Sequence, residues 1–135
     1  MPATRFAIRI GSRSAPFLRV LFGVTDERAW AMVADGQVTV RFGWWEFRVL
    51  IDNVVRWRIE GPWRWITAIG IRTSIRHHDL SFAGSPRGGV RLDFRAPVRW
   101  KVLRLRAVYA GVEDLEGFAA ELRALGIHGE DARQR

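Results

Sequence analysis

The sequence predicts a mainly β protein, in which a strongly bent antiparallel sheet or split barrel of about seven to eight strands precedes one C-terminal α-helix. Three observations predict this fold class. Apolar and polar residues alternate with a period of two through most of the chain. Turn-forming pairs such as Asp35-Gly36 and Gly61-Pro62 interrupt the alternation at short intervals. After Gly111 the apolar spacing changes to that of a helix.

The first hairpin joins residues 29–34 to residues 37–42. Asp35-Gly36 between them is a favoured two-residue turn, because both positions need a positive φ. A strand around residues 47–51 comes next, and residues 55–60 form another after Asp52-Asn53. In this last strand apolar and polar side chains are expected on opposite faces, with Val55, Trp57 and Ile59 against Arg56, Arg58 and Glu60.

The second half of the strand region begins near Ile66 and includes a short strand at residues 80–83. Residues 90–99 alternate most strictly, and Pro97 indicates the end of that strand or an edge position. The final strand is expected to present Leu103, Leu105, Ala107 and Tyr109 on one face and Arg104 and Arg106 on the other. Short turns between successive strands favour an antiparallel meander.

A helix is predicted over residues 114–125. Its apolar stripe would comprise Leu115, Phe118, Ala119, Leu122 and Leu125. Asp114 can cap the first turn, and Gly126 with Ile127 suits a Schellman-type stop in which Ile127 packs back on Leu122. We expect a single domain over residues 1–127, followed by a frayed polar tail over residues 128–135.

This succession of antiparallel strands with one C-terminal amphipathic helix resembles the pleckstrin-homology-like (PH-like) superfold. The resemblance rests on the Asp35-Gly36 hairpin, the strands through Tyr109 and the helix, and the segment 103–125 is similar to the end of small bacterial PH-like proteins. It implies a binding module, since members often bind phosphoinositides or peptides. Lipocalin-like and fatty-acid-binding-like barrels are the competing folds.

Composition narrows the classes of function. The chain has 135 residues, of which 48% are hydrophobic, so it can bury a core. It has no cysteine, which excludes disulfides, thiolate metal sites and cysteine nucleophiles. No signal peptide and no membrane-spanning stretch is recognisable. We therefore expect a cytoplasmic protein, with peripheral membrane association compatible with its charge.

The net charge of +8 comes almost entirely from arginine, since Lys101 is the only lysine. Arginine binds phosphate and carboxylate bidentately, so the excess is compatible with an anionic partner. Arginine also replaces lysine in proteins encoded by GC-rich genomes, where the excess has no functional meaning. Composition alone leaves both interpretations open.

Residues 87–106 are the densest basic segment. At strand spacing Arg91, Arg95 and Arg99 share a face, and Arg104 and Arg106 could lie beside them across a tight turn. Together with Arg56 and Arg58 these residues are candidate ligands for phosphate or another anion. The alternative is a solvated outer face that discourages edge-to-edge aggregation.

Seven tryptophans are many for this length, and most lie near predicted strand ends or turns. Trp63, Arg64 and Trp65 follow Gly61-Pro62 and form the most unusual stretch. In a loop, these side chains could enter a membrane interface, stack on nucleobases or close a barrel mouth around a ligand. Alternatively they fill the core, which the alternation around Trp57 favours for that residue.

No residues suggest catalytic machinery. His77-His78-Asp79 contains the only adjacent candidates for metal or acid-base chemistry, and consecutive strand residues point to opposite faces. We interpret this stretch as a turn. Phosphate-binding loops, dinucleotide fingerprints, nucleophile elbows and zinc-helix motifs are all missing from the sequence. We expect no enzyme activity, no cofactor and no metal.

The leading hypothesis is a non-enzymatic interaction module that engages a protein partner or an anionic membrane surface. The alternative is a β-barrel that carries a small apolar ligand. Nucleic acid is the least favoured partner, because the signatures of such modules are missing. A homodimer through an exposed strand edge is compatible with each hypothesis.

Overall fold

Ten strands in two sheets and one C-terminal helix make up the fold of this computed structural model, which describes residues 4–10, 16, 19–20, 23, 25–61, 70–74, 79–83, 88–101 and 103–132. The elements in chain order are β1 (Thr4–Ala7), β2 (Ala29–Ala34), β3 (Gln37–Phe42), β4 (Trp45–Leu50), β5 (Val54–Glu60), β6 (Gly70–Ser74), β7 (Asp79–Ala83), β8 (Gly89–Trp100), β9 (Leu103–Ala110), α1 (Leu115–Ala124) and β10 (Gly129–Asp131). Single 3₁₀ turns at Asp26–Arg28 and Ile51–Asn53 precede β2 and β5.

The first sheet is an antiparallel meander in the order β1-β2-β3-β4. The predicted hairpin between β2 and β3 is confirmed, because Asp35 and Gly36 adopt φ angles of 54° and 74°. Gly43 and Trp44 form the next two-residue turn, between Phe42 and Trp45. Among the described strands, β4 pairs with β3 alone and forms one edge of this sheet.

The second sheet has the order β10-β5-β8-β9-β7-β6 and is mixed, so the predicted antiparallel meander is wrong for this half of the chain. Strand β9 inserts between β8 and β7, antiparallel to the first and parallel to the second. Strand β10 is parallel to β5. Alternation of side chains fixes which face of a strand is buried but not which strand lies beside it, so this order was not readable from the pattern.

One hydrophobic core joins both sheets and the helix. Three aromatic pairs cross it, with ring centroids 6.0 Å apart for Phe42 and Phe82, 5.8 Å for Phe47 and Phe94, and 5.1 Å for Phe6 and Phe118. Between the described strands no ladder joins the two sheets into a closed barrel. The prediction of a mainly β fold with a bent sheet and one C-terminal helix is therefore confirmed.

The segment after β1 ties the two sheets together. Ile8 forms an isolated antiparallel bridge with Val112, just beyond β9. The Arg9 N–H donates to the Gly111 carbonyl at 2.8 Å, and the Glu113 N–H donates to the Ala7 carbonyl at 2.7 Å. The chain thus connects the edge of the first sheet to the approach to α1.

Two register shifts alter the predicted faces. One lies between Val54 and Arg56, so Val55 is 41% exposed instead of sharing the buried face of Trp57. The other lies between Asp93 and Val98, where β8 loses its β9 partners and Pro97, which has no N–H to donate, is accommodated inside the strand. The predicted strand end is therefore wrong, whereas the alternative of an edge position agrees with the structure, since Pro97 has no ladder partner among the described strands.

The second shift also changes the buried face of β9. Leu105 contacts the core as predicted, but so do Val108 and Ala110, which the alternation placed on the opposite face. Ala107 and Tyr109 are buried outside that core. Side chains on both faces of this half of β9 are therefore buried.

Helix α1 begins and ends as predicted. The Gly117 N–H donates to Asp114 Oδ1 at 2.9 Å, which caps the first turn. At the other end the Ile127 N–H donates to the Leu122 carbonyl at 3.1 Å and the Gly126 N–H to the Arg123 carbonyl at 2.9 Å, which is the Schellman pattern. Leu125, predicted in the apolar stripe, is 49% exposed because it lies beyond the last regular turn.

The predicted frayed tail is partly wrong, because β10 pairs with β5 in register from Gly129–Trp57 to Asp131–Ile59. Gly129 has no side chain, and a Cβ there would collide with the Trp57 indole. The tail is polar and exposed, so its pairing has no hydrophobic signal in the sequence. In the described part of the chain, no helix has the length and apolar character needed to cross a membrane.

Candidate anion-binding surface

Three of the predicted anion-binding arginines are occupied by carboxylates. Arg91 donates to Asp93 at 3.0 Å and to Asp79 at 2.8 Å, and Arg56 contacts the second oxygen of Asp93 at 2.9 Å. Arg58 lies 3.2 Å from Glu130 and 3.7 Å from Glu60. These guanidinium groups are therefore counterbalanced within the protein and are poor candidates for binding an external anion.

The ion pair between Arg91 and Asp79 crosses strand β9 over a small residue. Ala107 is the register partner of Asp93 on one side and of Asp79 on the other. Its methyl group leaves room for the Arg91 side chain to reach across to β7. Burial alone would lower the pKa of the Arg91 guanidinium, but hydrogen bonds and charge from Asp93 and Asp79 outweigh it and raise the pKa.

The end of the β8–β9 hairpin carries cations without such partners. Arg99 and Arg104 lie directly opposite each other in register. Both are exposed, and neither forms an ion pair with any residue that the structure describes. Lys101 occupies the turn with a φ of 56° and is also exposed. Three positive side chains thus lie at the end of one hairpin, one in the turn and one in each strand.

Tryptophans form the other face of this turn. The Lys101 ammonium lies 4.7 Å from the Trp45 ring centroid and 5.3 Å from that of Trp100, and the two indoles are 5.9 Å apart. Trp100 Nε1–H donates to the Glu46 carbonyl at 2.8 Å, which anchors the hairpin to strand β4. The cation is therefore held over aromatic faces at the junction of the two sheets.

Trp44 extends this aromatic group to the surface. It occupies the β3–β4 turn directly before Trp45 and is 60% exposed. Its indole covers Gly23, a buried glycine with a φ of 67° at which any Cβ would collide with the ring. We call the set of Trp44, Trp45, Arg99, Trp100, Lys101 and Arg104 the hairpin-tip surface.

The structure does not bring the predicted basic residues into one stripe. Arg95 lines a separate cleft beside β4, and Arg106 lies opposite the unpaired part of β8. Both are exposed and without an ion pair to a described residue. Trp63, Arg64 and Trp65, together with His77 and His78, lie outside the described residues. Of the predicted binding residues, Arg99 and Arg104 are the two that the hairpin places together.

Sequence reasoning did not assign Lys101, Trp45 and Trp100 to a site. The available signal was the placement of tryptophans at strand ends, which gave no indication that the β3–β4 and β8–β9 ends meet. That meeting depends on contacts between residues more than fifty positions apart, such as the Trp100 hydrogen bond to Glu46. Among the described histidines, aspartates and glutamates no group is arranged to hold a metal ion.

Comparison of the chain with protein families, with curated proteins and with solved structures finds no match.

Proposed function

We propose that this protein is a non-enzymatic binding module of PH-like architecture that docks on an anionic membrane surface through the hairpin-tip surface. The observation that carries the proposal is the grouping of three exposed, uncompensated cations with three tryptophans at one end of the fold. Three further arginines predicted to bind an anion, Arg56, Arg58 and Arg91, are instead neutralised by carboxylates.

The geometry favours a lipid surface because one face of the hairpin end offers cations and the other offers indole rings for membrane contact. Arg99 and Arg104 lie on the face opposite Trp100 and Leu103, so a tip-first approach brings cations and indoles to the boundary together. Indole rings favour the interface between headgroups and acyl chains. Each basic side chain near an anionic leaflet contributes about 1 kcal/mol, so three contribute roughly 3 kcal/mol.

Vesicle sedimentation tests the proposal. The wild-type protein should bind vesicles of phosphatidylcholine with phosphatidylserine more tightly than vesicles of phosphatidylcholine alone, and added salt should weaken the binding. The double variant Arg99→Gln with Arg104→Gln should bind anionic vesicles about 30-fold more weakly, because roughly 2 kcal/mol of attraction is lost.

The matched control is Arg56→Gln with Arg58→Gln, which removes the same formal charge from arginines that already have carboxylate partners. It should change vesicle binding by less than about 3-fold. Equal losses in the two double variants would show that net charge alone drives adsorption and would contradict the proposed site. Tighter binding to single-stranded DNA than to anionic vesicles would instead favour a nucleic-acid partner.

A further inference from the structure

On the side away from β3, part of the β4 backbone has no hydrogen-bond partner among the described residues. The Glu46 carbonyl points to that side, since it accepts from the Trp100 indole. Peptide groups of an antiparallel strand alternate between the two sides, so the N–H and C=O groups of Arg48 and Leu50 also point outward. In the described part of the chain no backbone or side-chain group bonds to them. Beyond Glu46 this edge therefore has no partner among the described residues.

A cleft of about 480 Å³ lies beside this open edge. Its other wall is the stretch of β8 that has no partners in β9, and its apolar lining includes Leu50, Pro97 and Val98. Asn53 fixes that wall, since its side chain donates to the Ala96 carbonyl at 2.9 Å and accepts from the Ala96 N–H at 2.8 Å. The wall is thus held in place before any partner arrives.

The charge at the cleft is positive. Arg95 is exposed and forms no ion pair within the described residues. Arg48 forms an ion pair with Glu46 at 3.3 Å. Asp52 is the one carboxylate of the described lining. A second copy of the chain is a poor occupant, because antiparallel pairing of two identical β4 edges around Arg48 would oppose like charges, and each chain carries a net +8.

We infer that this cleft is a docking site for an extended acidic peptide segment of a partner protein, which adds as a strand to the edge of β4. The peptide backbone pairs with the outward groups of Arg48 and Leu50. Alternate apolar side chains contact Leu50, Pro97 and Val98, and an acidic side chain meets Arg95. This site is separate from the hairpin-tip surface and does not depend on membrane binding.

Amide hydrogen exchange measured by NMR on the intact protein tests the inference. The probe is a capped peptide of about eight residues in which valine and aspartate alternate, long enough to span the open edge. At saturation the amides of Arg48 and Leu50 should exchange about 10-fold more slowly, since they gain hydrogen bonds. The amides of Phe47 and Val49 already pair with β3 and should not change.

Three controls separate strand addition from charge attraction. The same peptide carrying N-methyl groups on alternate residues has equal charge but cannot pair, so it should give no protection. Arg95→Gln should weaken peptide binding about 5-fold, whereas Arg106→Gln, which removes an exposed charge outside the cleft, should not. Arg99→Gln with Arg104→Gln should leave peptide binding intact, so failure of vesicle binding and failure of peptide binding are distinguishable.

Three outcomes would overturn the inference. Unchanged exchange of Arg48 and Leu50 at millimolar peptide would exclude pairing at this edge. Equal binding of a valine-lysine peptide would exclude recognition of acidic side chains. Protection of the same amides that rises with protein concentration alone would assign the edge to a second copy of the chain.

Discussion

Arginines of this chain divide into two groups that the sequence does not distinguish. Arg91 and Arg99 both belong to the polar face predicted for one strand, yet one is held between two carboxylates and the other is exposed without a partner. Asp93 lies two residues along β8 from Arg91, and the strand order places Asp79 of β7 within 2.8 Å of the same guanidinium across β9. Because strand order decides that contact, period-two alternation identified the candidate residues but not which of them are free.

At the same scale, removal of Arg91 should destabilise the fold. Arg91→Met removes the hydrogen bonds that Arg91 donates to Asp79 and Asp93, whose side chains are mostly buried, with exposures of 17% and 19%. We expect a loss of about 2 kcal/mol in the free energy of unfolding, measured by urea denaturation.

Arg56→Met is the matched control for Arg91→Met. The Arg56 side chain is 49% exposed, and without it Asp93 would still be paired with Arg91. The expected loss in the free energy of unfolding is therefore below about 0.5 kcal/mol. Similar losses in the two variants would contradict a central role for Arg91.

The contribution of Arg91 to stability also depends on pH. Because the folded state raises the pKa of Arg91, that contribution should be present at neutral pH and lost only as pH rises through the elevated pKa.

Elements whose signals are local were predicted best. The β2–β3 hairpin and α1 follow from a turn pair, a capping aspartate and a terminating glycine, each of which acts within a few residues. Strand β10 was missed because its stabilisation comes from backbone pairing with β5 and from contact of Gly129 with Trp57. The parallel strand pairs and the register shifts were not predicted for the same reason, since both depend on residues distant in sequence.

Helix α1 provides the prediction at this scale. Leu122 is fully buried, and Leu122→Ala should reduce the free energy of unfolding by about 3 kcal/mol through lost burial and a residual cavity. Leu122→Asp should abolish the cooperative melting transition, because it would bury an unpaired carboxylate.

Leu125→Ala is the control for the helix, since it removes the same atoms from a half-exposed position. It should cost less than about 1 kcal/mol. A normal melting transition in Leu122→Asp, monitored by circular dichroism, would show that α1 is not required for the fold.

At the scale of the whole molecule, the packing of the described core is evidence on the alternative hypothesis, a barrel that carries a small apolar ligand. Large fully buried side chains, among them Phe42, Phe47, Phe82 and Phe118, occupy the space between the sheets. The cleft beside β4 opens at the surface and is not an interior cavity. The sequence predicted enough apolar residues for a core but could not indicate whether they fill it or surround a cavity.

Native mass spectrometry of freshly purified protein tests this point. We expect a monomer whose mass equals the denatured mass, since the described interior is filled and the net charge of +8 opposes self-association. A discrete excess mass released on denaturation would support the ligand-carrier alternative. A stable dimer would instead support self-association of the protein through an exposed strand edge.

The pairing of β10 with β5 also determines when the fold can be completed during synthesis. Strand β5 leaves the ribosome long before residues 129–131. Until those residues follow, the outer edge of β5 lacks its β10 partner and the Trp57 indole lacks its contact with Gly129. The bridge between Ile8 and Val112 likewise cannot form until Val112 has been synthesised. The outer edge of β5 thus lacks its β10 partner until residues 129–131 have been synthesised, and it is in this interval that a holding chaperone would protect the nascent protein from aggregation.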